Sequence, residues 1–113
     1  MIYFIGNRNN LTYQAGADPE YITMCNIEYI VSYLKDKSVI AVDTETEGLD
    51  FTCKKMIMFQ IGDQDNQFVI DTRFESIEPL REILEDRNII KIFHNAKFDY
   101  KFIKKWSGIT CQG

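Results

Sequence analysis

Asp43, Glu45, Glu47 and Asp50 fall within the stretch AVDTETEGLD, at the end of the apolar run SVIAV. Crowded like charges repel, and taking them out of water is costly. Such a cluster is therefore either solvated or neutralised by a cation. On a strand, side chains two apart share a face, so Asp43 and Glu45 point the same way, their Cα atoms about 6.5–7 Å apart. In HNAKFDYKFI, Asn95 and Asp99 are four apart and share one side of a helix. If the strands before these two segments are neighbours, Asp99 faces Asp43 and Glu45, and three carboxylates from distant parts of the chain converge. An oxygen-only set of this kind suits Mg2+ or Mn2+. Two such ions roughly 4 Å apart can activate a water and stabilise the leaving oxygen in phosphodiester hydrolysis. Alone, a D-x-E pair after a strand is most often a solvated turn, and N-x-x-x-D is weaker still. The specificity lies in the two together, each at a strand end.

The elements that must carry these residues follow from periodicity. IYFI (2–5) and YITMC (21–25) are short strand candidates, separated by a loop-like stretch rich in Gly, Asn and Asp. Ile27, Ile30, Val31 and Leu34 follow i, i+3, i+4, i+7, with Asn26 as N-cap and Lys35 and Lys37 at the C-terminal end. SVIAVD predicts a buried central strand that stops at Asp43. KMIMFQIG (55–62) and QFVID (67–71) flank the turn DQDN and predict an antiparallel pair. ESIEPLREILEDRN predicts a helix capped by Ser76, with Pro79 in its first turn and Ile77, Leu80, Ile83 and Leu84 as its apolar stripe. IIKIF (89–93) is a further strand, parallel to a neighbour after the helical crossover. HNAKFDYKFIKKW opens the last helix, with Phe98, Phe102 and Trp106 at i, i+4, i+8 and Ile103 beside them. SGITCQG closes the sequence without another element. The expected class is α/β: a mixed sheet of three antiparallel strands, then a helix and a parallel strand, with helices packed on it.

Four lysines, Lys97, Lys101, Lys104 and Lys105, cluster on the last helix among aromatics. The ordinary reading is a solvated helix face. The other is contact with the backbone of a single-stranded nucleic acid, where basic grooves and aromatics cooperate.

The 113 residues allow one domain with one core. No apolar run approaches the roughly 18 residues of a membrane span, and no membrane partner is expected. MIYFIGNRNN is too short and polar for a secretory signal. Cys25, Cys53 and Cys111 lack ligand spacing and fit free thiols in a reducing cytoplasm. The net charge of −4 gives no overall basic footprint for nucleic acid, although bound metal ions reverse the local sign.

VDTETEGLD and HNAKFDYKFI resemble the first and second motifs of the DEDD exonuclease superfamily. The similarity is greatest to the proofreading 3′-5′ exonuclease domain of family-A DNA polymerases and to RNase D. YITMC-NIEYIVSYLKDKSVIAVDTET also resembles the strand, helix and strand that lead into the first motif, so the likeness spans roughly residues 20–110. It implies an RNase H-like fold, two divalent cations, Mg2+ or Mn2+, and stepwise removal of nucleotides from the 3′ end of single-stranded DNA, with RNA as an alternative. Residue by residue, Asp43, Glu45 and Asp99 match the catalytic metal ligands. Thr46 and Leu49 match positions near the terminal nucleotide, where Leu49 presses on the last base. Asn95 matches an asparagine that shapes the site, and Phe98 an aromatic position for which core packing is an equal reading. His94 reads as a hydrogen-bonded structural residue rather than a base.

One departure matters. The family's third motif, Y-x-x-x-D or H-x-x-x-x-D, does not follow Asp99 in this sequence. A fourth carboxylate and a general base are therefore missing, and loss of a general base alone typically costs roughly 10²–10⁴-fold in rate. The expectation is a single, incomplete exonuclease domain over 1–113, with an N-terminal strand and loop (1–20) and an RNase H-like core portion (21–113). As an isolated chain it should be inactive or feeble. Its sheet edge and the face Phe98/Phe102/Trp106 should lack cover, which invites self-association or a partner segment that completes the fold. The alternative function is a non-catalytic RNase H-like module that binds nucleic acid or protein.

Overall fold

The computed structural model describes residues 1–6, 22–46, 56–94 and 96–113. Its strands are β1 (Ile2–Ile5), β2 (Ile22–Met24), β3 (Val39–Thr46), β4 (Met56–Gly62), β5 (Gln67–Asp71) and β6 (Ile90–Phe93). Helix α1 (Ile27–Leu34) joins β2 to β3, α2 (Arg81–Glu85) precedes β6, and α3 (Ala96–Ser107) follows it. A 3₁₀ turn, Glu78–Leu80, leads into α2. Leu11, Leu49, Asn95 and the remaining residues of the loop-like stretch and of the first motif's tail lie outside the described residues.

The six strands form one sheet in the order β2-β1-β5-β4-β3-β6. The β3-β4 and β4-β5 pairs are antiparallel, and β6 runs parallel to β3 with Val39 opposite Ile90 and Val42 opposite Phe93. This is the expected mixed sheet. The tight β4-β5 connection depends on Gly62, where a Cβ would clash with the Asn66 carbonyl oxygen. Asp63 completes the turn: its Oδ1 accepts from the amides of Asp65 and Asn66, and its Oδ2 from the Tyr33 hydroxyl at 2.8 Å. Lys37 reaches the same Oδ2 at 3.1 Å. Burial pushes this carboxyl's pKa up, but the two amides, the Tyr33 hydroxyl and Lys37 together hold it well below the ordinary carboxylate range.

The three described helices press on one face of the sheet. Ile27, Ile30 and Leu34 of α1 join Ile40, Val42, Phe59, Ile61, Phe68 and Ile70 of the strands in the main core. Asn26 caps α1 as expected, its Oδ1 accepting from the Tyr29 amide at 2.9 Å. The predicted second helix is shorter than its apolar stripe: Ser76 Oγ accepts from the Glu78 amide, and Pro79 lies in a 3₁₀ turn rather than in an α-helix. A smaller cluster of Phe4, Ile22, Met58 and Val69 lies on the opposite face.

Three expectations need correction. First, β3 does not end at Asp43 but runs on to Thr46, because backbone pairing with β4 (Asp43 opposite Gln60, Glu45 opposite Met58) is indifferent to side-chain charge. Second, β3 is buried on one face only: Ile40, Val42 and Thr44 point under the helices, while Val39, Ala41, Asp43 and Glu45 are exposed. Third, the apolar face of α3 is covered. Asp99, Phe102 and Ile103 turn into the core, Phe98 packs half-buried on Phe102 with ring centroids 4.8 Å apart, and Trp106 alone of the predicted stripe remains largely exposed. The open apolar surface lies instead on the far side of the sheet, where Val39, Ile90 and Ile92 are exposed beside the edge strand β6.

The strand alternation of β6 also places Lys91 inward, at 7% exposure. Its ammonium donates to the carbonyl oxygens of Asp86 and Gln112, the latter at 2.5 Å. Residues 108–113 form no helix or strand, yet they are anchored: Ile109 and Cys111 are buried, and the Gln112 amide donates to the Leu84 carbonyl at 2.9 Å.

Candidate active site

Asp43 and Glu45 stand on the exposed face of β3, two residues apart, as the alternation of a strand requires. Asp43 Oδ1 accepts from the following amide, that of Thr44, at 2.9 Å, which fixes the orientation of the carboxylate. A β-bulge between Glu45 and Thr46 then turns the strand end, and Thr46 is half-buried opposite Met56. Asp43 and Gln60 line an open depression of about 470 Å3 together with Ala41, Gln67, Ile92 and His94. His94 is exposed at the bend after β6 and shares this depression with Asp43 instead of being tucked into structural packing.

Asp99 sits in the first turn of α3 and is 1% exposed. Its Oδ1 accepts a 2.5 Å hydrogen bond from Thr44 Oγ1, across 55 residues of sequence. The two motif-bearing segments are thus in direct contact, held by the parallel pairing of β3 with β6. The contact is made through Thr44, however, not through its acidic neighbours. Thr44 lies under the helices, and Asp43 and Glu45 lie on the other face. Among the described residues no group of three or more His, Cys, Asp or Glu side chains comes together that could hold a metal ion. The three-carboxylate cluster expected from the sequence is therefore not assembled here, and strand alternation is the reason. Asp43 and Glu45 by themselves fit one hard cation: both are oxygen donors, both are open to solvent, and one is already oriented. Leu49 and Asn95 lie outside the described residues, and Phe98 packs against the core.

Sequence reading missed Thr44 at this site and, in the fold around it, Lys91. Thr44 was legible, since D-T-E on a strand necessarily sends the middle residue to the opposite face. Lys91 had no local signal, because IIKIF does not reveal which of its faces the helices cover.

A family model described as 3′-5′ exonuclease matches residues 22–113, a span that includes Asp43, Glu45, Asp99 and every described element after β1. The chain belongs to the 3′-5′ exonuclease family. DNA polymerase I of Aquifex aeolicus (strain VF5) is 34% identical over 91 residues, 79% of this chain and 15% of the polymerase. The structure of Brucella melitensis NrnC bound to pGG superposes with a TM-score of 0.63 at 30% identity, covering 70% of this chain and 40% of that one. Trypanosoma brucei RNase D in complex with RNA U12 gives a TM-score of 0.70 at 17% identity, over 99% of this chain and 36% of that one, and shares the fold. The chain thus spans a minor part of the length of each relative. The mixed sheet is the RNase H-like exonuclease fold of this group, a family that works with divalent metals. Among the described residues no helix is long and apolar enough to cross a membrane.

Proposed function

We propose that this chain contributes the first two carboxylate motifs of a divalent-metal 3′-5′ exonuclease that acts on single-stranded 3′ ends, DNA foremost. The observation that carries the reading is the Thr44–Asp99 hydrogen bond, which joins the two motif segments at the ends of adjacent parallel strands. The polymerase relative supports DNA as substrate, and the pGG and U12 complexes of the two solved relatives support recognition of short or single-stranded nucleic acid.

In this reading Asp43 and Glu45 hold Mg2+ or Mn2+ on the exposed face of β3, and Asp99 completes the ligand set. Divalent cations, when bound, supply an activated water and neutralise charge at the scissile phosphodiester. Thr46, Leu49, Asn95 and Phe98 lie in the segments that would border the terminal nucleotide. With three carboxylates and no Tyr or His motif after Asp99, the 113-residue chain alone should hydrolyse feebly. The open face with Val39, Ile90 and Ile92 suits association with a further segment or a second copy. The described free thiols, Cys25 and Cys111, are consistent with a reducing cytoplasmic setting.

A second reading, a non-catalytic nucleic-acid- or protein-binding module, is favoured by the missing three-carboxylate group among the described residues. Mn2+ titration by calorimetry and digestion of 3′-labelled single-stranded DNA separate the two. The exonuclease reading expects Mn2+ binding that Asp43→Ala abolishes, with slow loss of the 3′ nucleotide that the same substitution stops. Metal binding without any 3′ trimming would leave the binding module, and no metal-dependent signal at all would refute the site.

A further inference from the structure

We propose that the outer face of α3 is a docking track for the phosphate backbone of a single-stranded nucleic acid. This rests on the exonuclease reading for its choice of partner, but on different residues. At 100° per residue, Lys97, Lys101, Lys104 and Lys105 fall within an arc about 100° wide, opposite the buried Asp99, Phe102 and Ile103. All four are exposed. They span about 12 Å along the helix axis. Four of the chain's thirteen Lys and Arg residues thus occupy nine positions of a protein whose net charge is −4, so the patch is a concentration against the trend of the whole molecule. The sole acid of the helix, Asp99, faces inward.

The second observation concerns the surface beside the lysines. Lys101, Lys104 and Lys105 rim an open pocket of about 580 Å3 whose other walls are Tyr100, Ile109 and Thr110. The Tyr100 ring is braced by Phe93, with centroids 5.0 Å apart, and Lys104 is steadied by the Thr110 hydroxyl at 2.9 Å. An aromatic wall next to a row of ammonium groups matches a nucleotide, which offers a flat base and an anionic backbone together. A bare polyanion uses only the charges. The track lies on the side of α3 away from the Thr44–Asp99 contact, so binding here is separable from the carboxylates.

The test uses a 5′-fluorescein-labelled single-stranded DNA followed by anisotropy in EDTA, over a range of salt. Lys101→Gln/Lys105→Gln is compared with Lys35→Gln/Arg87→Gln, which removes the same charge from exposed positions elsewhere. The proposal expects the α3 variant to bind roughly tenfold more weakly. Its slope of log K against log salt should be shallower by about 1.4, at about 0.7 per lost phosphate contact. The control pair should match the parent, and Lys101→Arg/Lys105→Arg should retain binding. Circular dichroism confirms that each variant is folded. Equal salt slopes for the α3 and control variants overturn the proposal. So does equal displacement of the labelled DNA by poly-glutamate and by unlabelled DNA at matched charge, which would mark a surface for acidic protein. Lysine-dependent binding that persists when Mn2+ titration and 3′ trimming both fail keeps the track and removes the exonuclease reading. Trimming that continues unaltered with lysine-independent binding does the reverse.

Discussion

Replacing Thr44 by Val removes one hydroxyl at nearly constant volume. Thr44 is 8% exposed and Asp99 1% exposed, so water does not readily substitute for the lost donor. A hydrogen bond to a carboxylate acceptor contributes about 1.5–3 kcal/mol. For a chain of this length roughly 4 °C accompanies each kcal/mol. Thr44→Val should therefore lower Tm by about 6–12 °C at neutral pH, with a matching loss in urea unfolding and an unchanged m-value. In an Asp99→Asn background the acceptor is neutral, its bond is worth about 0.5–1.5 kcal/mol, and the same substitution should cost about 1–2 kcal/mol less. The difference between the two costs is the coupling between the segments. A Thr44→Val loss below about 0.5 kcal/mol, or equal losses in both backgrounds, would refute the claim that this bond ties β3 to α3.

Lys91→Met keeps the aliphatic stem but leaves the carbonyls of Asp86 and Gln112 without their ammonium donor, and should cost about 2–4 kcal/mol in urea unfolding. It should also loosen residues 108–113. Cys111, whose thiol burial pushes up to about 11, should then react with a thiol reagent faster than in the parent at pH 8, while an unchanged rate would show that Lys91 does not hold the tail. Asp63→Asn tests the β4-β5 turn through pH. The folded carboxyl is depressed, so its stabilisation is present above the unfolded value near pH 4 and is lost as pH falls further toward the folded value. The Tm gap between parent and variant should accordingly be constant from pH 5 to 7 (~2 units) and narrow below about pH 4. Ile90→Lys/Ile92→Lys should change Tm by no more than about 2 °C, since both side chains are more than half exposed, and should reduce any self-association seen by light scattering. A large destabilisation would place these side chains in a core.

The sequence by itself determined the local elements and the identity of the reactive groups. Apolar runs on either side of a turn mark β4 and β5, and helical spacing marks α1 and α3, because these are local patterns legible without knowledge of neighbours. The Asn26 cap and the Asp63 turn are equally local, each closing within three residues. The pairing of Asp43 with Glu45 on one face also follows from the strand alone. Tertiary structure decided sidedness. Period-2 alternation says that Ile90 and Ile92 share a face and that Lys91 takes the other, but not which of the two the helices cover. The covered face turned out to be the one with Lys91, since its ammonium could be satisfied by carbonyls of α2's end and the C-terminal residues. The same choice buries Thr44 and exposes Asp43 and Glu45, and it sends Asp99, fixed on the inner arc of α3, to the threonine rather than to the acids. Which residues could bind a metal was written in the sequence. Which of them stand together depended on the side of the sheet where the helices pack, a contact between segments far apart in the chain that no local pattern encodes.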